Sequence, residues 1–196
     1  ILHAKAVRES AKRSLVVFDM PYKTYTNKFI AYKNAKKVIK LTNCDAIKLE
    51  GGKKITKIVN FLVKKGIPVL GHVGLLPQTS RNFKARGRSS NEKKIILNDA
   101  ISISNSGAFA IIVECVIERL ARQITKNVAI PTIGIGSSRY CDGQILVTED
   151  LTGLSDFSPK FVKQYANLNK LIEKCVKNYA KDVKMKRFPF AKNVYK

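Results

Sequence analysis

Short apolar runs that close on an ionisable residue recur along this chain. Leu15-Val16-Val17-Phe18 ends at Asp19, before Met20-Pro21, and Asp45-Ala46-Ile47-Lys48-Leu49-Glu50 ends on an ammonium and a carboxylate before Gly51-Gly52. Pro68-Val69-Leu70-Gly71 ends at His72, and Phe109-Ala110-Ile111-Ile112-Val113 ends at Glu114. Pro131 to Gly136 and Gln144 to Thr148 complete a set of six expected strands. The segments between them carry helical periodicity. Ala31, Ala35, Val38 and Ile39 share one face, as do Ile55, Ile58, Val59 and Leu62, and again Ile117, Leu120, Ala121 and Ile124, at i, i+3, i+4, i+7-type spacing. Apolar strands alternating with amphipathic helices predict a parallel sheet covered by helices. The even spacing of the units favours a (β/α) barrel over an open doubly wound sheet. In such barrels the functional groups sit at the C-terminal ends of the strands, so Asp19, Lys48, Glu50, His72 and Glu114 are expected to converge on one mouth.

The second strand is the most informative. Strand side chains alternate between faces, so Lys48 and Glu50 point the same way. Burying either charge costs several kcal/mol unless it meets a partner, a metal or a ligand. The alternative for this segment alone is a surface Lys–Glu pair on a sheet edge. Recurrence of ionisable strand ends elsewhere in the chain shifts the balance towards a site.

Composition bounds the rest. At 196 residues the chain is expected to form a single domain, residues 1–196, with a basic C-terminal helix and tail over about 181–196. Ile1 to Glu9 read as an amphipathic helix, not a signal peptide. No apolar run reaches the ~18 residues of a membrane span. Cys44, Cys115, Cys141 and Cys175 lack Cys-x-x-Cys spacing and read as free thiols of a reducing compartment, which points to the cytoplasm. Lys and Arg number 37 against 14 Asp and Glu, a net charge of +23. Such a surface invites a nucleic-acid reading. The lysines are spread over every helix, however, and no recognition motif interleaves aromatic with basic residues. A bias towards Lys, Ile and Asn in the encoding genome explains the charge more simply.

The motifs taken together resemble one family. Asp19-Met20-Pro21-Tyr22, Lys48-Leu49-Glu50-Gly51-Gly52, Gly71-His72-Val73-Gly74-Leu75-Leu76-Pro77-Gln78, Val113-Glu114-Cys115-Val116, Ile133-Gly134-Ile135-Gly136 and Asp142-Gly143-Gln144-Ile145-Leu146-Val147 stand in the order found in the ketopantoate hydroxymethyltransferase family. The resemblance implies a (β/α)8 TIM barrel of the enolate-forming, Mg²⁺-dependent type, of which this chain would hold the last six strands. It implies transfer of a one-carbon unit from 5,10-methylenetetrahydrofolate to 3-methyl-2-oxobutanoate, giving ketopantoate for pantothenate and coenzyme A synthesis in a homo-oligomer. It further implies Asp19 and Glu50 as ligands of one Mg²⁺ per subunit, Asp19 and Lys48 as substrate-binding residues, and Glu114 as the proton acceptor. An apolar flank on Val113 and Val116 would favour that last role. His72 receives no catalytic role. Gly134 to Ser138 is expected to form a tight turn near the ligand, and the acid of Asp142-Gly143-Gln144 could merely cap a turn.

The departures from the family pattern carry expectations too. A full barrel has eight strand–helix units of roughly 30 residues each, so about 60 residues and two strands are expected to precede Ile1. The Gly-Asp-Ser that the family places at its second strand occurs nowhere in this sequence, and Thr79 to Arg88 is shorter than the family's loop. The alternatives are an inactive barrel remnant or, less favoured, a basic nucleic-acid-binding protein.

Overall fold

A computed structural model describes residues 1–156 and 158–195. The chain divides into two compact units, Ile1–Ile145 and Leu146–Lys196. The first contains, in chain order, α1 (Leu2–Ser10), β1 (Val17–Asp19), α2 (Lys28–Thr42), β2 (Ala46–Lys48), a 3₁₀ turn at Lys53–Ile55, α3 (Thr56–Lys64), β3 (Val69–Gly74), α4 (Ser90–Asn105), β4 (Ala110–Glu114), α5 (Glu118–Asn127), β5 (Thr132–Ile135) and β6 (Gly143–Gln144). The second contains α6 (Thr148–Thr152), α7 (Leu168–Lys184) and a 3₁₀ turn at Ala191–Asn193. The basic C-terminal stretch is thus the last turn of α7 followed by a short 3₁₀ segment. Among the described residues no helix is long and apolar enough to cross a membrane.

The six strands form one parallel sheet in the order β1-β2-β3-β4-β5-β6. Each neighbour in space is the neighbour in sequence, which gives the singly wound connectivity of a barrel rather than the reversal of a doubly wound sheet. The two faces differ in the way this demands. Ile47, Leu49, Val69, Val73, Ile111 and Val113 share one large core with Ala31 and Ala35 of α2, Val59 and Leu62 of α3, Ile103 of α4 and Leu120 and Ile124 of α5. Leu70, Ala110 and Ile112 form a separate, smaller apolar cluster on the opposite face with Val17, Ile133 and Ile135 at its margin. One face of the sheet is therefore covered by helices and the other carries an inner apolar layer, consistent with a six-stranded parallel part of a TIM barrel.

Local chemistry sets the element ends. Asn27 caps α2 by accepting from the amides of Phe29 and Ile30, each at 3.0 Å. Asn43 closes the same helix with φ 53°, a left-handed conformation asparagine tolerates. Sequence periodicity does not single out α4, yet its start is a variant of the capping box, in which Glu92 reaches the two amides that precede the N-cap Ser89. Ser89 Oγ accepts from Glu92 N at 3.2 Å, and the Glu92 carboxylate reaches back to the amides of Gly87 and Arg88 at 2.8 and 3.1 Å. Most strand bounds are tighter than the apolar runs suggest, whereas β3 continues past His72 to Gly74. Leu15, Phe109 and Pro131 flank strands without joining them, and the run from Gln144 pairs only through Gly143–Gln144 before Thr148 opens α6.

Candidate active site

Parallel register brings the ionisable strand ends together. Asp19 on β1 lies beside Lys48 on β2, His72 on β3 beside Ile112 on β4, and Gly74 beside Glu114. Two residues before His72 and Glu114, on the same side of their strands, come Leu70 and Ile112 of the inner apolar layer. The charged groups therefore cap that layer at the C-terminal edge of the sheet. The ladder continues past β2, since Leu49 N donates to Leu70 O at 3.1 Å and Gly51 N to His72 O at 3.3 Å. These bonds keep the backbone extended, so that Leu49 enters the core and Glu50 turns to the same side as Lys48.

The Lys48 ammonium donates to Asp19 Oδ2 at 2.5 Å and lies 3.6 Å from Glu50 Oε1. The sequence-level alternative of an exposed edge pair does not describe this geometry, because the side chains of Lys48 and Glu50 are only 13% and 4% exposed. Beyond Glu50 sits His72, its Nδ1 3.8 Å from Glu50 Oε1 and its Nε2 3.3 Å from Glu114 Oε2. His72 is buried, and neither ring nitrogen makes a hydrogen bond. Buried polar atoms are nearly always paired, and orphans of this kind mark a place where a ligand or water completes the set. All five residues that the sequence singles out thus form one row, Asp19, Lys48, Glu50, His72, Glu114.

The row contains two hard oxygen donors, Asp19 and Glu50, bridged by a cation. That donor chemistry fits Mg²⁺, which is held through one or two carboxylates and keeps several waters. Among the described residues no group of three or more His, Cys, Asp or Glu side chains is placed to hold a metal ion.

Two residues that sequence reasoning missed hold the row in place. Gln78 N donates to Glu50 Oε2 at 3.1 Å, while its Nε2 donates to Met20 O at 3.0 Å and Asp19 Oδ1 at 3.3 Å. Its Oε1 accepts from the Tyr25 hydroxyl at 2.9 Å, and that hydroxyl accepts from Glu50 N at 3.4 Å. Burial and the nearby Glu50 and Asp19 charges push the Tyr25 phenol above its ordinary pKa, so it stays a neutral donor. The Gly-His-x-Gly-Leu-x-Pro-Gln motif contains Gln78, but only the fold shows that its last residue touches both carboxylates.

Two glycines let the backbone approach. Gly51 has φ 125°, a region L side chains rarely adopt, and a Cβ on Gly52 would lie 1.9 Å from Asp99 Cγ. Asp99 in turn accepts from Lys53 N at 2.7 Å, which anchors the turn after Glu50 on α4. At the far side of the row, Glu114 O accepts from Leu75 N at 2.9 Å. The next residue, Cys115, has φ 49°, and burial with help from Glu114 pushes its thiol up to about 11.

Asp142 has a structural role. It accepts from Thr132 N at 2.8 Å and Thr132 Oγ1 at 2.9 Å, and these bonds lower its pKa. It ties the start of β5 to the β6 turn, away from the row. Gly136, with φ 61°, makes the turn after β5.

A sequence model of the family described as ketopantoate hydroxymethyltransferase matches residues 1–191. The chain is 51% identical over 195 residues to the 3-methyl-2-oxobutanoate hydroxymethyltransferase of Pelagibacter ubique (strain HTCC1062), covering 100% of this chain and 76% of that protein. It is 45% identical over 201 residues to the enzyme of the same name from Rhizobium etli, covering 100% and 74%. It is 46% identical over 200 residues to that of Bartonella bacilliformis, again covering 100% and 74%.

Proposed function

The chain belongs to the ketopantoate hydroxymethyltransferase family, and from that premise we propose how its own residues make ketopantoate from 3-methyl-2-oxobutanoate. The chemical difficulty is a proton on a tertiary carbon beside a ketone. Glu114 takes that proton. Its carboxylate stands at the end of the row, 15% exposed, with the Val113 and Val116 side chains buried next to it in sequence. Lys48 binds the substrate's carboxylate with the ammonium that otherwise pairs with Asp19, and Asp19 lines the same position. The electron pair left at C3 attacks the methylene carbon of 5,10-methylenetetrahydrofolate, and water supplies the hydroxyl as tetrahydrofolate leaves. A divalent cation held by Asp19 and Glu50, Mg²⁺ by the hardness of its donors, would supply positive charge beside the keto oxygen.

The observation that carries this assignment is the unbroken row of five groups along the C-terminal edge of the sheet, in which the ammonium and the base lie on opposite sides of Glu50 and His72. A planar keto acid laid along the row places its carboxylate at Lys48 and its C3 towards Glu114. The test is exchange of the C3 proton of 3-methyl-2-oxobutanoate into D₂O, which needs no one-carbon donor. Glu114→Gln lowers the exchange rate by about 10²–10⁴-fold. Exchange that proceeds in the variant as in the unaltered chain removes Glu114 from the mechanism.

A further inference from the structure

The row of charged groups stops at β4, but the layer it belongs to continues. Glu114 pairs in register with Ile135 on β5, so the two side chains leave the sheet on the same side. Ile135 packs at the margin of the inner cluster of Leu70, Ala110 and Ile112. Past β6 the ladder holds for one more residue, because Ile145 N donates to Gly134 O at 3.0 Å. Gly143 lies beside Ile133, and alternation returns Ile145 to that same side, next to Ile135. The layer at the C-terminal edge therefore changes character partway across. From β1 to β4 it presents carboxylates, an ammonium and an imidazole. On β5 and just past β6 it presents two isoleucines.

These isoleucines differ from the core residues beneath them. Ile112 is buried and lies in register with Ile133, and together they form a floor two residues below Glu114 and Ile135. Ile135 itself is only partly buried, and Ile145 is 48% exposed. Branched apolar side chains thus stand open beside Glu114, where an apolar group entering the site would remove their surface from water.

We propose that Ile135, with Ile145 beside it, recognises the branched end of the 2-oxo acid and sets the preference for a substrate methylated at C3. This assignment rests on the reading given under Proposed function, which lays the acid with its carboxylate at Lys48 on β2 and its C3 towards Glu114 on β4. A molecule so placed points its C3 substituents at the next strand, β5. Strands lie about 4.8 Å apart, so a methyl group on a carbon held at Glu114 comes into contact with Ile135. The asymmetry of the layer also fixes which way round the acid lies. Reversed, it would set its carboxylate between Glu114 and two isoleucines, where no cation meets it, and its methyl groups against Asp19 and Lys48.

The test is equilibrium binding, by calorimetry on the full chain with Mg²⁺, of pyruvate, 2-oxobutanoate, 3-methyl-2-oxobutanoate and 3-methyl-2-oxopentanoate. The first three differ by one methyl group on C3 at each step, and burying a methyl is worth about 4-fold in affinity. The unaltered chain is expected to show that step twice, about 15-fold between pyruvate and 3-methyl-2-oxobutanoate. Ile135→Ala is expected to cut each step below ~2-fold and leave pyruvate unchanged. It is also expected to admit 3-methyl-2-oxopentanoate at least as well as 3-methyl-2-oxobutanoate, because the vacated volume takes the longer branch. Ile145→Ala, at an exposed position where folding is not at stake, is expected to show the same pattern more weakly. Steps that are absent from the unaltered chain, or that survive in both variants, overturn the proposal. So does a parallel loss of pyruvate in Ile135→Ala, which would mark Ile135 as structural. The C3 exchange assay reports separately on the base. Unchanged exchange in Glu114→Gln, with the methyl steps intact and lost in Ile135→Ala, removes Glu114 and leaves the apolar wall standing. Slowed exchange in Glu114→Gln with flat binding across the series does the reverse.

Discussion

Gln78→Ala tests whether the carboxylates of the row are held or merely adjacent. The substitution leaves one contact intact, because the donor to Glu50 Oε2 is the backbone amide. It deletes three others: the bond to Met20 O at 3.0 Å, the bond from the Tyr25 hydroxyl at 2.9 Å and the longer one to Asp19 Oδ1 at 3.3 Å. Met20 is 1% exposed, so its carbonyl cannot readily recruit water. A buried acceptor left unpaired costs about 1–3 kcal/mol. Tyr25 is half-buried and finds solvent more easily, which adds less than ~1 kcal/mol. The Asp19 carboxylate is half exposed, and its bond contributes little to stability. A total near 2 kcal/mol lowers the melting temperature by about 4–8 °C in a chain of this size. The functional consequence is separate. Asp19 keeps only Lys48 as a partner, which leaves the carboxylate free to swing, and a loss of about 1.4 kcal/mol in its placement weakens Mn²⁺ binding tenfold. Thermal melting and titration of free Mn²⁺ by its electron paramagnetic resonance signal read the two effects on one sample. Tyr25→Phe, which deletes a single bond of the set, is expected to fall between. A Gln78→Ala protein that melts and binds Mn²⁺ like the unaltered chain would show that the network is incidental.

Two further outcomes follow from the packing around the row. Gly52→Ala sets a methyl 1.9 Å from Asp99 Cγ, so Asp99 must leave Lys53 N; overpacking of this kind costs about 1–3 kcal/mol. It should appear as a lower urea midpoint at constant slope, with partial recovery in Gly52→Ala/Asp99→Ala. The four cysteines are free, and only Cys175 is exposed. A disulfide-exchange reagent at pH 8 should therefore modify one thiol quickly and Cys44, Cys115 and Cys141 only after denaturation. For Cys115 the raised value of about 11 disfavours the thiolate, leaving roughly a thousandth of it ionised at pH 8, so any native-state reaction there should speed up with pH towards 11. Rapid labelling of more than one thiol in the native protein would contradict the burial.

The strands were legible because a parallel sheet buried on both faces writes itself as continuous apolar runs. Their ends were less so. Leu15, Phe109 and Pro131 are apolar enough to extend a run, yet pairing depends on a neighbour across the sheet that no local pattern reveals. Helix α4 is hard to read from the sequence because its buried apolar positions, Ile96, Ala100 and Ile103, are diluted by serines and asparagines. The Ser89-x-x-Glu92 spacing was the signal that could have found it. Alternation along one strand placed Lys48 with Glu50, as the structure shows, but it could not pair Lys48 with Asp19, which requires the β1–β2 register. Gln78 and Tyr25 lie 53 residues apart in sequence, and each looks like an ordinary loop residue. Their role exists only where three loops meet.

What separates functional acids from structural ones in this protein is how fully their bonds are met within the chain. Asp142 and Glu50 each belong to a strand-end motif, and both approach glycine turns. The Asp142 carboxylate receives two good bonds from Thr132, which stabilise its charged form and tie two chain segments together. Nothing further is asked of it. Glu50 is more deeply buried, and its partners are of another kind: an ammonium 3.6 Å away already engaged by Asp19, one backbone amide, and an imidazole 3.8 Å away that forms no hydrogen bond. A buried carboxylate and a buried imidazole so loosely satisfied cost several kcal/mol that the folded chain alone does not recover. Ligand oxygens along the row would recover it, by giving Lys48 an anion and the His72 nitrogens a partner. The energetic deficit is thus confined to the side of the sheet where the keto acid is proposed to lie, while the Asp142 carboxylate at the β5–β6 turn is satisfied by Thr132.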